Sequence, residues 1–432
     1  MKYCNRCMYP ENAKPTIILD EEGVCSGCRY HESRGQLEVN WDEREEMLLE
    51  LVDEAKRTRR ERGNSHDCII PVGGGKDSHY QVWLLKEKYG LNPLLVTYNH
   101  AFNTPAGNRN LENLVHKSGC DMVRYTIGLD AARRLSRHMV KTVGDITWHY
   151  HAGIRTYPFQ AAVQYNIPLV FLGEHGFAEL TGLVTLEDFV EHTKWTRKEH
   201  DMRGYEPQDL IGHEGITEKD IAPFIYPSDE DIARVGVRGL YISNFVDWNA
   251  TDHAQHMIDT WDFGTITYKR ERSFNLHGKI EDHANDVHDY LKYLKFGYGR
   301  GTDDASMEVR HGRMTREEGQ ALVKEYDART PSTLPMYCDF MGMSVEDFYG
   351  YIEPMRDLDI WEKSKDGVWT PKDAVHRHAA TPEVEAARVK QVPADQRTFS
   401  DGYRHLYYNL DNPPVKHGVP VLDEFSPTFR VI

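Results

Sequence analysis

Four of the seven cysteines stand within the first 28 residues, as Cys4-x2-Cys7 and, after 17 further residues, Cys25-x2-Cys28. Two CxxC pairs roughly 15–20 residues apart have the spacing of a zinc site. Each short turn presents two sulfurs on one side, and zinc takes four thiolates in a tetrahedron. Four protein ligands leave the metal no open position, so its role is expected to be structural. A small segment with few apolar residues would gain from it the folding free energy it lacks. Two disulfides, or unrelated surface thiols, are the rival readings. An odd cysteine count spread over a long chain is a poor disulfide framework, which favours the metal.

The second group with chemical potential is Val72-Gly73-Gly74-Gly75-Lys76-Asp77-Ser78. It follows the apolar stretch Cys68-Ile69-Ile70-Pro71 and opens a helical pattern. Backbone N–H groups of such a turn, with the helix N-terminus behind them, bind phosphate oxygens. Lys76 adds positive charge and Ser78 a donor. Asp77 would be repelled by bare phosphate, so its natural role is to hold Mg2+. The segment is not a Walker A loop, because four residues are missing before the Gly-Lys pair, and it has no third glycine for G-x-G-x-x-G.

The surrounding elements are those that would position such a turn. Asn40 caps an expected helix over 41–60, acidic in its first turn and basic in its last. Strands are expected at 68–72, 94–98, 122–126 and 168–172, with a fifth at 239–243. Helices are expected between them at 77–89, 131–145 and 153–165. Such alternation implies a mostly parallel sheet covered on both faces. Residues 16–24 read as a hairpin with Gly23 in its turn. Beyond 280 the pattern is mainly helical. Thr315 to Glu318 has capping-box spacing, and Thr370-Pro371 and Thr381-Pro382 read as helix starts. Gly173 and Glu174 follow the fourth strand, where an open parallel sheet binds ligands, and Tyr98 and Asn99 end the second.

Composition narrows the function classes. The chain has 432 residues, 40% apolar and 28% charged, with a formal net charge of −16. Two or three structural units are expected at that length. The acidic balance opposes a general grip on nucleic acid. No apolar run approaches the ~20 residues of a membrane span, and no apolar signal core follows Met1, so a cytoplasmic protein is expected.

The glycine turn resembles the PP-loop, whose pattern is Ser-Gly-Gly-x-Asp-Ser. Here Gly73 takes the first serine's place, and Gly74, Gly75, Lys76, Asp77 and Ser78 match the rest. The lost hydroxyl removes one phosphate contact. PP-loop enzymes cleave ATP between its α and β phosphates and transfer AMP to a substrate oxygen. Together with the cysteine pairs, several later segments resemble a narrower group, the WbpG/PseA-like N-acetyl sugar amidotransferases of bacterial O-antigen and surface-polysaccharide (lipopolysaccharide) synthesis. Those segments are Phe171-Leu172-Gly173-Glu174-His175, Met202-Arg203-Gly204, the run from Tyr290 to Arg300, and Thr315-Arg316-Glu317-Glu318.

The resemblance implies an α/β, adenine nucleotide alpha hydrolase-like domain with an N-terminal zinc ribbon and a mainly helical C-terminal region. The expected division is a zinc module at 1–38, a connector helix at 39–65, the ATP-binding domain at 66–280, a helical substrate-side region at 281–345, and an extension of unread role at 346–432. The implied activity is conversion of the acetamido group of an activated sugar into an acetamidino group, with ATP and Mg2+. Lys76, Asp77, Ser78 and Glu174 are the expected catalytic residues. Gly73, Gly74, Gly75, Tyr98, Asn99 and Gly173 complete the expected ATP site, while Arg203, Lys292, Lys295 and Arg300 are candidates for the sugar side. His149, His151 and His311 show no metal spacing and read as ordinary surface or core histidines.

Glutamine hydrolysis needs an activated cysteine. Lys2 follows Met1, and Cys68, Cys120 and Cys338 lack an elbow-like glycine context. No glutaminase is therefore expected in this chain, and the resemblance implies a separate glutaminase and a channel-like subunit as the source of ammonia. A tRNA-thiolating PP-loop enzyme is the main rival, disfavoured by the acidic charge and the absence of a second CxxC in the sheet domain. A non-catalytic ATP-binding scaffold is the other.

Overall fold

The computed structural model describes residues 1–378, apart from 15, 37–38, 100–101, 183 and 185–187, and the short strands Val415–Lys416 and Val419–Pro420. The expected helix start at Thr381-Pro382 and most of the 346–432 extension lie outside the described residues.

Six strands form one sheet: β1 Cys68–Pro71, β2 Pro93–Asn99, β3 Met122–Thr126, β4 Leu169–Leu172, β5 Glu191–His192 and β6 Arg238–Tyr241. Their order is β3-β2-β1-β4-β6-β5. All neighbours run parallel except β5, which pairs antiparallel with β6. β2 and β4 are buried along their whole length, as expected for continuous apolar runs covered on both faces. β3 is an edge strand of the sheet and only partly covered. The segment expected as a fifth strand is β6. The two-residue β5 was not anticipated, since two residues are too few to show a period.

The longer helices of this region are α1 Ser26–Gln36, α2 Trp41–Arg62, α3 Lys76–Trp83, α4 Pro105–Ser118, α5 Leu129–Val143 and α6 Trp148–Gln164. Side chains alternate across a strand, so β1 divides between two cores. Cys68 and Ile70 pack with Leu48, Val52 and Ala55 of α2 and Leu111 and Leu114 of α4. Ile69 packs with Phe159, Ala161 and Ala162 of α6. The expected cap of α2 is present: Asn40 accepts the N–H of Glu43, and Gly63 closes the helix at φ 68°.

Past the sheet, the helices Ala284–Phe296, Arg300–Arg310, Arg316–Tyr326, Leu334–Met341 and Val345–Ile352 follow in succession. The capping box of Thr315 and Glu318 is formed as its spacing implied. Thr370-Pro371 does not start a helix. Trp369–Pro371 instead pairs antiparallel with Trp361–Lys363 across a turn containing Gly367 at φ 83°. A proline at the end of a two-stranded ribbon costs no ladder bond, and tryptophan favours the pleated surface.

The N-terminal hairpin is closed by pairing of Leu19 with Cys25, with Gly23 at φ 73° in its turn. This module is fastened to the distant helices. Tyr9 donates to Asp303, the Met8 N–H to Ser306, and Arg316 to the carbonyls of Cys4 and Cys7.

Candidate functional site

Reversal of strand order places the switch point of the sheet between β1 and β4. Loops leaving those two strands diverge there and open a crevice at their C-terminal ends. Gly73, Gly74 and Gly75 leave β1 at this point, and Gly173 and Glu174 leave β4 beside them.

The three glycines are not equivalent. Gly74 lies at φ 79°, and a Cβ there would stand 2.7 Å from the Gly107 carbonyl oxygen, so only glycine fits. Gly107 is itself pressed against the backbone of Glu281, where a Cβ would come within 2.3 Å of the carbonyl oxygen. Thr104 holds this junction by accepting the Gly107 N–H at 2.9 Å and donating to the Ile280 carbonyl at 2.5 Å. Around Gly73 there is open space, so the side chain missing there has room. Gly173 has only ordinary contacts, 3.5 Å to Gln81 at the nearest, and is not demanded by packing within the chain.

Gly75 is the N-cap of α3 and supplies no side-chain acceptor, which leaves the first N–H groups of the helix for another partner. Lys76 pairs with Asp77 at 2.6 Å. Burial opposes the Lys76 charge, but Asp77 and Glu174 outweigh it and hold the ammonium above its usual range. Burial and then the Asp77 charge push the Glu174 carboxyl up. Asp77 Oδ1 is shut off from solvent and has no hydrogen-bond partner among the described residues. Two carboxylates that repel each other, one with an orphaned oxygen, are a donor set suited to a hard divalent cation. Ser78 is turned away: its hydroxyl donates back to the Gly75 carbonyl at 2.9 Å.

The other expected residues divide. Asn99 ends β2 with Oδ1 buried and unpartnered among the described residues. Tyr98 points into the core, stacked on Tyr125 and hydrogen-bonded to His149 at 2.9 Å, so its ring does not line the crevice. Alternation along β2 explains this, since neighbouring side chains take opposite faces. Arg203 lies 3.4 Å from Asp145. Lys295 donates to the carbonyls of Val143 and Gly144 at the end of α5, and burial lowers it to about 8. Arg300 makes a two-pronged bond to Asp289, 2.8 Å at each prong. Lys292 is bonded to Asp303. These three basic groups have partners within the helical region and are not gathered at the glycine turn.

Sequence reading missed Thr104, Gly107, Glu281, Arg155 and Lys279. Arg155 and Lys279 act on the Glu174 carboxyl, and Glu281 on Lys76. Thr104-Pro105 is a capping signal and could have been found. The rest are brought in from distant segments and carry no local pattern.

The four N-terminal cysteines converge. All are buried and unbridged, and their sulfurs lie within 4.8 Å of one another. Cys4 and Cys28 stand 3.8 Å apart and Cys7 and Cys25 3.6 Å, far beyond a disulfide bond of ~2.05 Å. A tetrahedron with Zn–S bonds of ~2.3 Å has an edge of about 3.8 Å, so the quartet fits zinc. Backbone N–H groups of Arg6 and Cys25 point at Cys4, and that of Cys28 at Cys25. Arg310 adds its guanidinium, 3.4 Å from Cys25, and with its other nitrogen holds the carbonyls of Glu179 and Leu180. Outer donors of this kind orient and stabilise thiolate ligands.

An open, mostly parallel α/β sheet with a glycine turn at its switch point, preceded by a cysteine quartet and followed by helices, defines the class of protein. Residues 261–375 match the family described as LPS biosynthesis protein WbpG-like, C-terminal domain. The chain is also similar to the uncharacterized protein MJ1599 of Methanocaldococcus jannaschii, at 24% identity over 156 residues, 33% of this chain and 54% of that protein. It thus spans about half the length of that curated relative. Among solved structures, NMN synthetase from Francisella tularensis aligns at 17% identity and a TM-score of 0.25, covering 50% of this chain and 93% of that one. No helix among the described residues is long and apolar enough to cross a membrane.

Proposed function

We propose that this protein is an ATP-dependent, AMP-forming amidotransferase that converts the acetamido group of an activated N-acetyl sugar into an acetamidino group, in the synthesis of a surface polysaccharide. The observation that carries this reading is the glycine turn at the switch point, where Asp77 follows β1 with one oxygen buried and unpartnered among the described residues and Glu174 follows β4. The match of residues 261–375 to a lipopolysaccharide-biosynthesis family favours the sugar substrate.

An amide carbon is a poor electrophile and its oxygen a poor leaving group. Attack of the acetamido oxygen on the α-phosphate of ATP releases pyrophosphate and gives an O-adenylyl imidate. Ammonia then adds to the imidate carbon, and AMP departs with the oxygen. Open N–H groups at the start of α3 and the Lys76 ammonium hold the triphosphate. Asp77 and Glu174 would hold Mg2+, which supplies charge neutralisation for the departing pyrophosphate. Asn99, at the end of β2, offers an acceptor to the nucleoside. The protein's task is positioning, charge stabilisation and exclusion of water.

Ammonia is read as arriving from a separate glutaminase, through a channel-like subunit. Burial raises the thiols of Cys68, Cys120 and Cys338, the last to about 11, which is opposite to what a nucleophilic cysteine needs. The zinc quartet is read as structural.

The test is mass spectrometry of N-acetyl sugars, free and nucleotide-linked, incubated with the protein, ATP and ammonium. The expected product is ~1 Da lighter and strongly basic, with AMP and pyrophosphate formed in equal amounts. Release of ADP in place of AMP would sink the reading.

A further inference from the structure

A second polar cluster stands one helical turn along α6 from Arg155. Arg155 itself lies within the electrostatic reach of Glu174 and pairs with Asp201 at 3.4 Å. His151 precedes it by four residues on the same face, about 6 Å along the axis. The His151 ring meets that of His288, centroids 5.4 Å apart. Asp145, in the turn between α5 and α6, completes the group. Its Oδ1 accepts both the N–H and the hydroxyl of Thr147, at 2.7 Å each, and lies 3.4 Å from His288 Nδ1. Its Oδ2 lies 3.4 Å from Arg203.

Two features set this cluster apart from a structural ion pair. Asp145 is only 3% exposed, and beyond the 3.4 Å ion pair with Arg203 its Oδ2 makes no hydrogen bond among the described residues, nor does His151 Nδ1. Such orphaned atoms are costly inside a protein unless something fills the place. The groups around them are not sealed off, since Arg203 and His288 keep 23% and 25% of their side-chain surface exposed. Arg203 also adopts a left-handed backbone at φ 55°, just before Gly204 at φ 79°.

The chemistry of the cluster selects its ligand. A phosphate would be repelled by the Asp145 carboxylate. An ammonium or amine would be repelled by Arg203. A hydroxyl both donates and accepts. It can give its proton to Asp145 Oδ2 while its oxygen takes a hydrogen from Arg203, and His151 Nδ1 can serve a neighbouring hydroxyl in either tautomer. We infer that Asp145, Arg203 and His151 form the subsite that reads the ring hydroxyls of the sugar, one helical turn along α6 from Arg155. This deepens the function proposed above and rests on it.

The protein is compared with Asp145→Asn, which keeps an acceptor for Thr147 and replaces Oδ2, the oxygen without a hydrogen bond, by a donor. The probes are UDP-linked and free N-acetylhexosamines of gluco and galacto configuration, with their monodeoxy analogues. In the variant, KM for the sugar should rise about 10- to 100-fold, with ATP binding and kcat at saturating sugar near wild type. One monodeoxy analogue should bind wild type equally poorly and lose nothing more in the variant. His151→Gln, at a half-buried position, should raise KM by a smaller factor and guards against misfolding of the first variant. Unchanged sugar KM in both variants, or independent losses for every deoxy analogue, would overturn the subsite and leave the amidotransferase reading intact. Wild-type protein that binds ATP but converts none of these sugars would overturn both.

Discussion

Two clusters of charge in this molecule look alike in composition and differ in how they are satisfied. At the glycine turn, Lys76, Asp77 and Glu174 leave one carboxylate oxygen orphaned and one carboxyl pushed up by burial and then by its neighbour's charge. In the helical region, Arg300 spans Asp289 with both prongs, and Lys292 joins Asp303. Asp303 also accepts from Tyr9, while Asp327 takes the N–H groups of Gly299 and Thr302 together with the Thr302 hydroxyl. The second cluster closes on itself and needs nothing from outside. The first is balanced only when something is added. A sequence shows the same residue types in both places, and the difference lies in whether partners are already present.

That contrast can be broken by substitution. Asp77→Asn should lower AMP formation by roughly 10³-fold, the scale of losing a principal electrostatic group in a site, with Tm within about 2 °C of wild type. A large fall in Tm would make the turn structural. Arg300→Met should do the reverse. It strands Asp289 in the interior and should cost about 3–5 kcal/mol in urea unfolding, most of it recovered when Asp289→Leu is added.

The same pair predicts a pH dependence. Against the pull of burial, Arg300 holds the Asp289 carboxyl below its usual range. The unfolded chain therefore binds the proton first as pH falls below ~3.9. The stability from this pair is present above that pH and lost as pH descends towards the folded value. Arg300→Met should flatten the acid limb of the stability profile, and an unchanged limb would remove the pair from the account.

Cys25→Ser should abolish the one zinc per chain expected by atomic absorption and lower Tm by several degrees. Full zinc content in the variant would show that the quartet is not the ligand set. Within the turn, Gly74→Ala should cost about 1–3 kcal/mol through its backbone angle and the Gly107 carbonyl, whereas Gly73→Ser should stay within ~0.5 kcal/mol. Smallest of all, Glu174→Gln should raise the Tm of the nucleotide-free protein by about 1–2 °C by removing a repelled carboxylate, at the expense of Mg2+-dependent turnover.

The parallel sheet was legible because β1, β2 and β4 are continuous apolar runs separated by helical periods, and such patterns are local. The cysteine quartet was legible because its spacing is itself the signal. The glycine turn was legible as a place, but not the unequal demands on Gly73, Gly74 and Gly173, which depend on what packs opposite them. Lys292, Lys295 and Arg300 show the opposite failure. Basic residues near a Gly-rich segment suggest an anion site, and here Asp289, Asp303 and two carbonyls from α5 meet them first. Asp145 and His151 gave no sign in the sequence, because the cluster exists only where the α5–α6 turn, the segment around Arg203 and the helix bearing His288 come together.

Arg310 touches Cys25 across 285 positions of the chain and Cys7 across 303, and Arg316 reaches the Cys7 carbonyl across 309. The segment that carries the cysteines thus completes its hydrogen-bonded shell only with helices that lie far along the chain, at Arg310 and Arg316. Until those helices pack against them, the cysteines are open to oxidation and to any metal within reach. Early capture of the metal would shield them for the wait, and a chain starved of zinc would be at its most vulnerable before its later helices exist.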